Sequence, residues 1–479
     1  MKKQVKLIIS ILLIFCIIIS ASCNKIEWKV EKMGAEAYGN LPIVKINTEN
    51  SKNPKDKETY INCSFEITNC QNPEQNFKVA MKETYDCKQE DGGVGVRLRG
   101  NTTMAYDKKP YRIKFEKTKS LFGLEKAKSW VLLADYLDQS NMRNYTAMTL
   151  GNEVFTNLDF TAHPNHVILE FNGEYKGVYL LCEQMDEKKG RANVQVDEEE
   201  FYSNYKKTEF PFLIEMDEYA RDDATIADAD KVLLNGYFPI EVKYPEAKDR
   251  GTYNGQDVFY QYLTEYLTAV KTTLSSKQKV SVSFRPNPVS FEDLVDVNSL
   301  IDYVLLNEFM YNPDSIWKSS YMHKEINKVD ENGNVIEYGK LKFGPVWDFD
   351  FSMGGHFSDK PFDASYIGWA QYTCVMAANI FFADFLRDSA NYEKVQNRWN
   401  EINDDVKIVA NKIRDYKQHI SQPSKVDATR WYGKTGAFQF DMQYDYVRLF
   451  VLDRRELFNE LFALNHTDFL TRVEIPIIN

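Results

Sequence analysis

The stretch Lys340-Leu341-Lys342-Phe343-Gly344-Pro345-Val346-Trp347-Asp348-Phe349-Asp350-Phe351-Ser352-Met353-Gly354-Gly355 governs how the rest of the chain is read. Leu341, Phe343 and Val346 mark a short strand, and Gly344-Pro345 bends it. Beyond the bend two acids sit inside an aromatic run, Trp347 to Phe351, with a double glycine behind them. A carboxylate among large apolar side chains is costly to hold unless a cation pairs with it. Magnesium suits the case, because it takes one or two carboxylates together with phosphate oxygens. An isolated Asp-x-Asp is as readily a buried salt bridge or a strand-end turn, so Asp348 has to be weighed with what surrounds it.

Working outward, Ser319–Lys324 and Lys340–Val346 read as the two arms of a hairpin with Asn332-Gly333 in its turn. Asp314 then stands where the hairpin begins and Asp348 where it ends, so the two carboxylates face each other across a site. Ser290 with Asp293 resembles a capping box. The helix that follows is apolar on nearly every side, through Leu300, Ile301, Tyr303, Val304, Leu305, Leu306 and Phe309. Such a helix is buried, and Pro313 ends it by biasing Asn312 away from helical geometry. Phe259, Tyr262, Leu263, Tyr266, Leu267 and Val270 recur at helical spacing upstream. Downstream, helices are expected over 376–386, 391–420 and 440–464, with Arg454, Arg455, Glu456 and Glu460 on solvated faces.

The N-terminal half has the period of strands. Val94, Val96 and Leu98 alternate with Gly95, Arg97 and Arg99, and Gly100-Asn101-Thr102-Thr103 breaks the pattern. In Pro110–Glu116, Tyr111, Ile113 and Phe115 share one face while Arg112, Lys114 and Glu116 share the other. The loop between these strands offers glycine, hydroxyl residues and Lys108-Lys109, the N–H groups and cations that a polyphosphate needs. The alternative is the solvated outer face of a hairpin. Trp130–Ala134 is a further strand, and Asp138 to Asn141 can cap a helix over 142–154. Arg143 in its first turn opposes the helix dipole, which implies a specific partner. His166–Phe171 and Tyr175–Met185 flank Asn172-Gly173, a strong hairpin signal, and Glu183 ends an apolar run. Phe210–Glu218 and Ile240–Tyr244 are also strands.

Lys2, Lys3 and Lys6 precede an apolar run, Leu7–Ile19, and then Ser20-Ala21-Ser22-Cys23. A basic start, a short apolar core and small residues make a signal peptide, and the run falls short of the roughly 20 residues needed to span a bilayer. The cysteine directly after the small residues resembles a bacterial lipobox, which makes Cys23 the expected site of lipidation. The chain is thus expected to be an exported lipoprotein, lipid-anchored in the cell envelope. Of its 479 residues, 1–22 hold three lysines and no acid, so their loss deepens the net charge from −11 to −14. That balance argues against non-specific nucleic-acid binding. Five cysteines follow Cys23, too odd and too widely spaced for a disulfide framework or a zinc pattern. The expected organisation is a signal peptide over 1–22, a tether and first strand over 23–60, a strand-rich lobe over 61–245 and a mainly helical lobe over 246–479.

Several segments together resemble the CotH kinase family of atypical kinases. They are Arg99-Gly100-Asn101-Thr102-Thr103 with Lys108-Lys109-Pro110-Tyr111-Arg112-Ile113-Lys114-Phe115, Trp130 to Ala134 with Arg143-Asn144, Asn172 to Gln184, Asn312-Pro313-Asp314-Ser315, and Phe343 to Asp350. The resemblance implies an α+β, two-lobed protein-kinase-like fold that binds ATP with Mg2+ or Mn2+ and passes a phosphoryl group to a protein hydroxyl. It implies that Asp314 orients and deprotonates the acceptor, that Asp348 holds the metal, and that Arg99, Lys114 and Glu183 bind the nucleotide. In one respect the chain departs from the family. Its best-studied members carry asparagines after the catalytic-type aspartate, where this chain reads Ile316-Trp317-Lys318-Ser319-Ser320-Tyr321, and Asp350 stands where asparagine also occurs. The expected function is therefore an ATP-dependent kinase acting on Ser or Thr of an envelope or surface protein. The competing reading is a catalytically inactive surface scaffold or adhesin.

Overall fold

The N-terminal strands do more than build hairpins: long-range pairing closes them into a ring. The computed structural model describes residues 27–82, 92–196, 209–233, 239–250, 257–354 and 375–476. Its first eight strands are β1 (Ile43–Thr48), β2 (Ile61–Thr68), β3 (Phe77–Val79), β4 (Val94–Leu98), β5 (Tyr111–Lys119), β6 (Ala127–Leu133), β7 (Asn165–Phe171) and β8 (Glu174–Glu183). Their spatial order is β1-β7-β8-β6-β5-β4-β2-β3, and β1 also pairs with β2, so seven of them close a barrel with β3 attached outside. β1 is antiparallel to β2 and parallel to β7, which removes both free edges.

The expected two-lobed protein-kinase-like fold is corrected by this closure, since a closed barrel is not the strand sheet of a protein-kinase-like lobe. The seam that closes it is long-range. Asn172, in the left-handed turn Asn172-Gly173 between β7 and β8, accepts from the Thr48 N–H at 2.8 Å and donates to the Thr48 hydroxyl at 2.9 Å. The barrel interior is packed by inward residues of every strand, among them Ile46, Phe65, Val96, Phe115, Trp130 and Leu181. β6 and β8 are buried on their outer faces as well, where Val131, Leu133, Leu180 and Cys182 pack with Met148 and Trp347.

A second sheet has the order β10-β11-β9-β12-β15. It is built from β9 (Phe212–Met216), β10 (Lys231–Val232), β11 (Ile240–Tyr244), β12 (Ser320–Lys324) and β15 (Leu341–Phe343), while β13 (Lys328–Val329) and β14 (Val335–Glu337) form a separate ribbon. The expected hairpin is thus the pair β12–β15, with Met322 opposite Phe343.

The helices are α1 (Arg143–Glu153), α2 (Val258–Ser276), α3 (Phe291–Leu294), α4 (Val297–Phe309), α5 (Val375–Ala378), α6 (Ile380–Leu386), α7 (Ser389–Tyr432), α8 (Gly436–Leu461) and α9 (His466–Arg472). The Ser290–Asp293 capping box opens α3, and α4 is buried from Ser299 to Phe309, as its uniform apolarity predicts. The C-terminal region is helical, and α7 runs to Tyr432 with Pro423 inside it. Its last turns lock onto the barrel. Asp427 accepts from Lys108 Nζ at 3.0 Å and from the Val178 N–H at 3.1 Å, and Trp431 donates to the Lys176 carbonyl at 3.1 Å. Gly177, at φ +99°, leaves the room this approach needs, because a Cβ there would lie 1.8 Å from Asp427 Oδ1. No described helix is long and apolar enough to cross a membrane. Cys23, Cys87 and Cys374 lie outside the described residues, while Cys63, Cys70 and Cys182 are buried free thiols.

Arg454 is not solvated as expected. It is wholly buried and donates to the Glu308 carbonyl and to Glu308 Oε1, both at 2.7 Å, holding the end of α4. Removing one partner strands the other charge in the core. Arg454→Met is expected to cost roughly 3–5 kcal/mol in urea unfolding, and Glu308→Leu combined with Arg454→Leu to recover most of it.

His166 supplies a pH-dependent term. Its Nε2 lies 2.8 Å from the Asn141 carbonyl and its Nδ1 3.1 Å from the Tyr416 hydroxyl. Nε2 donates and Nδ1 accepts, which fixes a neutral tautomer. Burial pushes its pKa down from 6.5 to about 4. The unfolded chain therefore binds a proton that the folded one refuses, and stability is lost as pH falls from 6.5 towards 4. The loss expected from this group is about 3 kcal/mol, and His166→Gln should flatten that part of the stability–pH curve.

Candidate active site

A cleft of about 340 Å³ opens where the barrel rim meets the second sheet. From the rim it receives Arg99, Gly100 and Asp135; from the second sheet, Glu215, Glu241 and Lys243; from the segments around β12 and β15, Asp314, Lys318, Asp348 and Asp350. Each is placed by local chemistry. Asn312 caps the short turn after α4 by accepting from the Asp314 N–H at 3.3 Å, and its own N–H bonds the Asn307 carbonyl at 2.9 Å. Ser319 and Asp348 both adopt left-handed backbone, at φ +53° and +57°, and the Ser319 hydroxyl donates to Asp348 Oδ2 at 2.9 Å.

Asn144 joins the barrel rim to the acidic run. Its amide donates to Asp135 Oδ1 at 2.9 Å and its carbonyl accepts from the Phe349 N–H at 2.9 Å. The partner that Arg143 requires is Asp138, which also accepts from the Arg143 N–H at 2.8 Å. The Arg143 side chain reaches on to the Ser352 carbonyl at 3.0 Å and Gln443 at 3.0 Å, so it anchors the segment after Asp348 and touches no cleft residue named above. Gly100, at φ +81°, turns the loop between β4 and β5, and a Cβ there would meet the Thr103 hydroxyl at 2.1 Å. Arg99 lies with its guanidinium 5.4 Å from the Trp347 ring centre.

Of the residues singled out from sequence, the structure brings Arg99, Asp314 and Asp348 to this cleft. Lys114 and Glu183 are not among its lining. Lys114 sits on the outward face of β5, with Nζ 5.9 Å from the Tyr60 ring. Glu183 is buried at the end of β8, where it accepts from the His163 N–H at 2.7 Å and lies 3.9 Å from Arg191. Lys108 is buried against Asp427 rather than free for an anion in the loop. Asp135, Glu215 and Lys243 join the cleft without belonging to any motif of the sequence, and Lys318 comes from the run that departs from the family. An acid inside Phe212-Leu213-Ile214-Glu215-Met216 was a legible signal, whereas the approach of β9 to the Asp314 turn depends on long-range pairing.

Carboxylates dominate the electrostatics. Burial pushes Asp314 up to about 6, with Lys318 opposing the rise and Asp348 adding to it. Asp350 is held well above the carboxylate range by burial and then by Asp348, Asp135 and Asp314. Asp135 is pushed to about 6 by burial and by Asp138, against the Asn144 hydrogen bond. Burial likewise takes Glu215 to about 7, although Lys243 opposes it. Lys243 bonds Glu215 at 3.2 Å and Glu241 at 2.9 Å, so positive charge is already supplied there. Oxygens of Glu215, Asp217 and Glu241 all lie within 4.8 Å of one another. The Asp314, Asp348 and Asp350 group has the hard oxygen donors that fit Mg2+ or Mn2+, and mutual repulsion that Lys318 offsets only at Asp314.

Acidic oxygens and an arginine–glycine loop line one cleft, donor and acceptor groups of the chemistry that phosphates and divalent cations require. The family model described as CotH kinase protein matches residues 96–458. The chain belongs to the CotH kinase family, and that membership points to an atypical kinase using ATP and a divalent metal. No curated protein matches it.

Repulsion within the group makes a stability prediction. Because burial and then Asp348 hold the Asp350 pKa well above the carboxylate range, the fold loses stability as pH rises above the ordinary carboxylate pKa. Asp350→Asn should raise the melting temperature at pH 8 by about 2–4 °C while weakening the stabilisation that added Mn2+ gives the wild type.

Proposed function

We propose that this chain is an exported, lipid-anchored kinase that transfers the γ-phosphate of ATP to Ser or Thr of a cell-envelope protein. The observation that carries the reading is the arrival of Asp314 and Asp348 in one cleft with the Arg99-Gly100 loop. Phosphoryl transfer asks a protein for positioning and charge neutralisation more than for covalent help.

Asp348, with Asp350 beside it, would hold the divalent cation, whose chemistry is to neutralise charge on the phosphates. Arg99 and the backbone N–H groups after Gly100 bind the phosphates. Asp314 orients the acceptor hydroxyl and takes its proton. The acceptor oxygen forms a bond to the γ-phosphorus as the bond from that phosphorus to the bridging oxygen breaks. ADP departs with the bond's electron pair, and the proton ends on the Asp314 carboxylate. Lys114 and Glu183 have no part in this scheme, because they do not line the cleft. Cys23 would carry the lipid and hold the chain at the membrane, which the basic, apolar and small-residue order of 1–23 supports. The acidic balance leaves nucleic acid out of the list of partners.

With γ-labelled ATP and Mg2+ or Mn2+, label should appear on protein with the wild type. It should fall by at least about 100-fold in Asp314→Asn and in Asp348→Asn. Absence of label and of any Mg-ATP-dependent thermal shift would overturn the kinase reading. Asp314 must be ionised to act, so with its pKa near 6 the rate should decline on the acid side of that value. Cys23→Ser should move the protein from the membrane fraction to the soluble fraction, and retention in the membrane would refute the anchor.

A further inference from the structure

The side chain nearest the acceptor-orienting carboxylate is a cation. Lys318 Nζ lies 3.4 Å from Asp314 Oδ1, and the Lys318 N–H donates to the Asp314 carbonyl at 2.9 Å. The turn thus sets the base of the Lys318 side chain beside the aspartate. The ammonium also lies 5.6 Å from the Tyr219 ring centre, which bounds it on another side. The next residue, Ser319, is bonded to Asp348. Two consecutive residues thus engage both acids of the proposed reaction, one with a charge and one with a hydroxyl. Lys318 remains a cation, since its pKa is raised, against burial, by Asp314, Tyr219 and Asp348.

A second divalent ion in this cleft would need Asp314 as a ligand, or a place beside it. Asp314 already has an ammonium 3.4 Å from one of its oxygens, and an ammonium next to a divalent ion is strongly repelled. The other converging acids are already partnered. Glu215 and Glu241 share Lys243, Asp217 beside them accepts from the Tyr219 N–H at 3.0 Å, and Asp135 is bonded to Asn144. Asp348 and Asp350 are left as the pair best placed for one metal ion.

Resting on the kinase reading, we propose that Lys318 replaces a second metal: the cleft takes one divalent ion per nucleotide, and the Lys318 ammonium bears on the transferred phosphoryl group as the other cation. It is a point charge on a flexible stem, suited to follow a phosphoryl group as charge shifts between oxygens. It also holds Asp314 in place until an acceptor hydroxyl arrives.

The test is a count of Mn2+ by electron paramagnetic resonance on the full-length protein with one equivalent of a non-hydrolysable ATP analogue. One bound Mn2+ per protein–nucleotide complex is expected, and two would overturn the inference while leaving the kinase reading intact. Failure of Mn2+ and the analogue to bind at all would remove the kinase reading and this inference together. Lys318→Asn removes the charge and adds an oxygen ligand, so the count should rise to two; a count that stays at one assigns the stoichiometry to something other than Lys318 and overturns the proposal. Lys318→Met should lower turnover about 100-fold with a change in KM for ATP under about threefold. Lys318→Arg should restore most of that loss. Equal turnover in Lys318→Met and wild type would contradict the role.

Discussion

Carboxylates that repel one another are held together at one end of a cleft, and much of the surrounding structure exists to hold them there. Burial first, and neighbouring acids second, push Asp135, Asp314 and Asp350 above the ordinary carboxylate range. No single element could fix such a set against its own repulsion. α4 delivers Asp314 and is pinned from behind by the buried Arg454–Glu308 pair. The segment after β15 delivers Asp348, and Asn144 ties it to the rim that carries Asp135. Arg143 then secures the far side of that segment through Asp138 and Ser352.

The same logic explains the attachment of the helical region to the barrel. A closed ring has no edge on which to dock a partner by strand addition, so α7 attaches by side chains. Asp427 meets Lys108 and Val178 in a pocket that Gly177 keeps open, and Trp431 reaches the next carbonyl along. Lys108 thus serves the joint between parts of the fold, although its position in the β4–β5 loop suggested an anion ligand. Buried ion pairs contribute little net stability compared with well-packed apolar groups, but removing one partner is costly. Here they set α7 against the barrel and α8 against α4, the helix that leads to Asp314.

Local pattern made some of this legible and long-range pairing hid the rest. Period-two alternation at Val94–Leu98 and Tyr111–Phe115, the Asn172-Gly173 turn and the uniform apolarity of 300–309 placed their elements correctly. The spacing of Asp314 and Asp348 around a hairpin brought both to the cleft. Ring closure is invisible to local pattern, because it rests on β1 pairing with β7, where Thr48 meets Asn172 across 124 residues; the strand periods alone are equally compatible with the open sheet of a protein-kinase-like lobe. Lys114 shares a strand face with Arg112, and the alternation that revealed the strand could not say which direction that face looks. Arg454 read as surface because charge in a helix usually is; only the arrival of Glu308 explains it. Lys318 stood in plain view, but its meaning depends on the turn that folds it back on Asp314.

The most direct measurement is a crystal structure with Mn2+ and a non-hydrolysable ATP analogue, read at the manganese absorption edge. The account predicts an anomalous peak at coordination distance from Asp348, with the triphosphate against Arg99 and the Gly100 loop. A peak among Glu215, Asp217 and Glu241 instead, or a triphosphate bound on the outer barrel face beside Lys114, would contradict it.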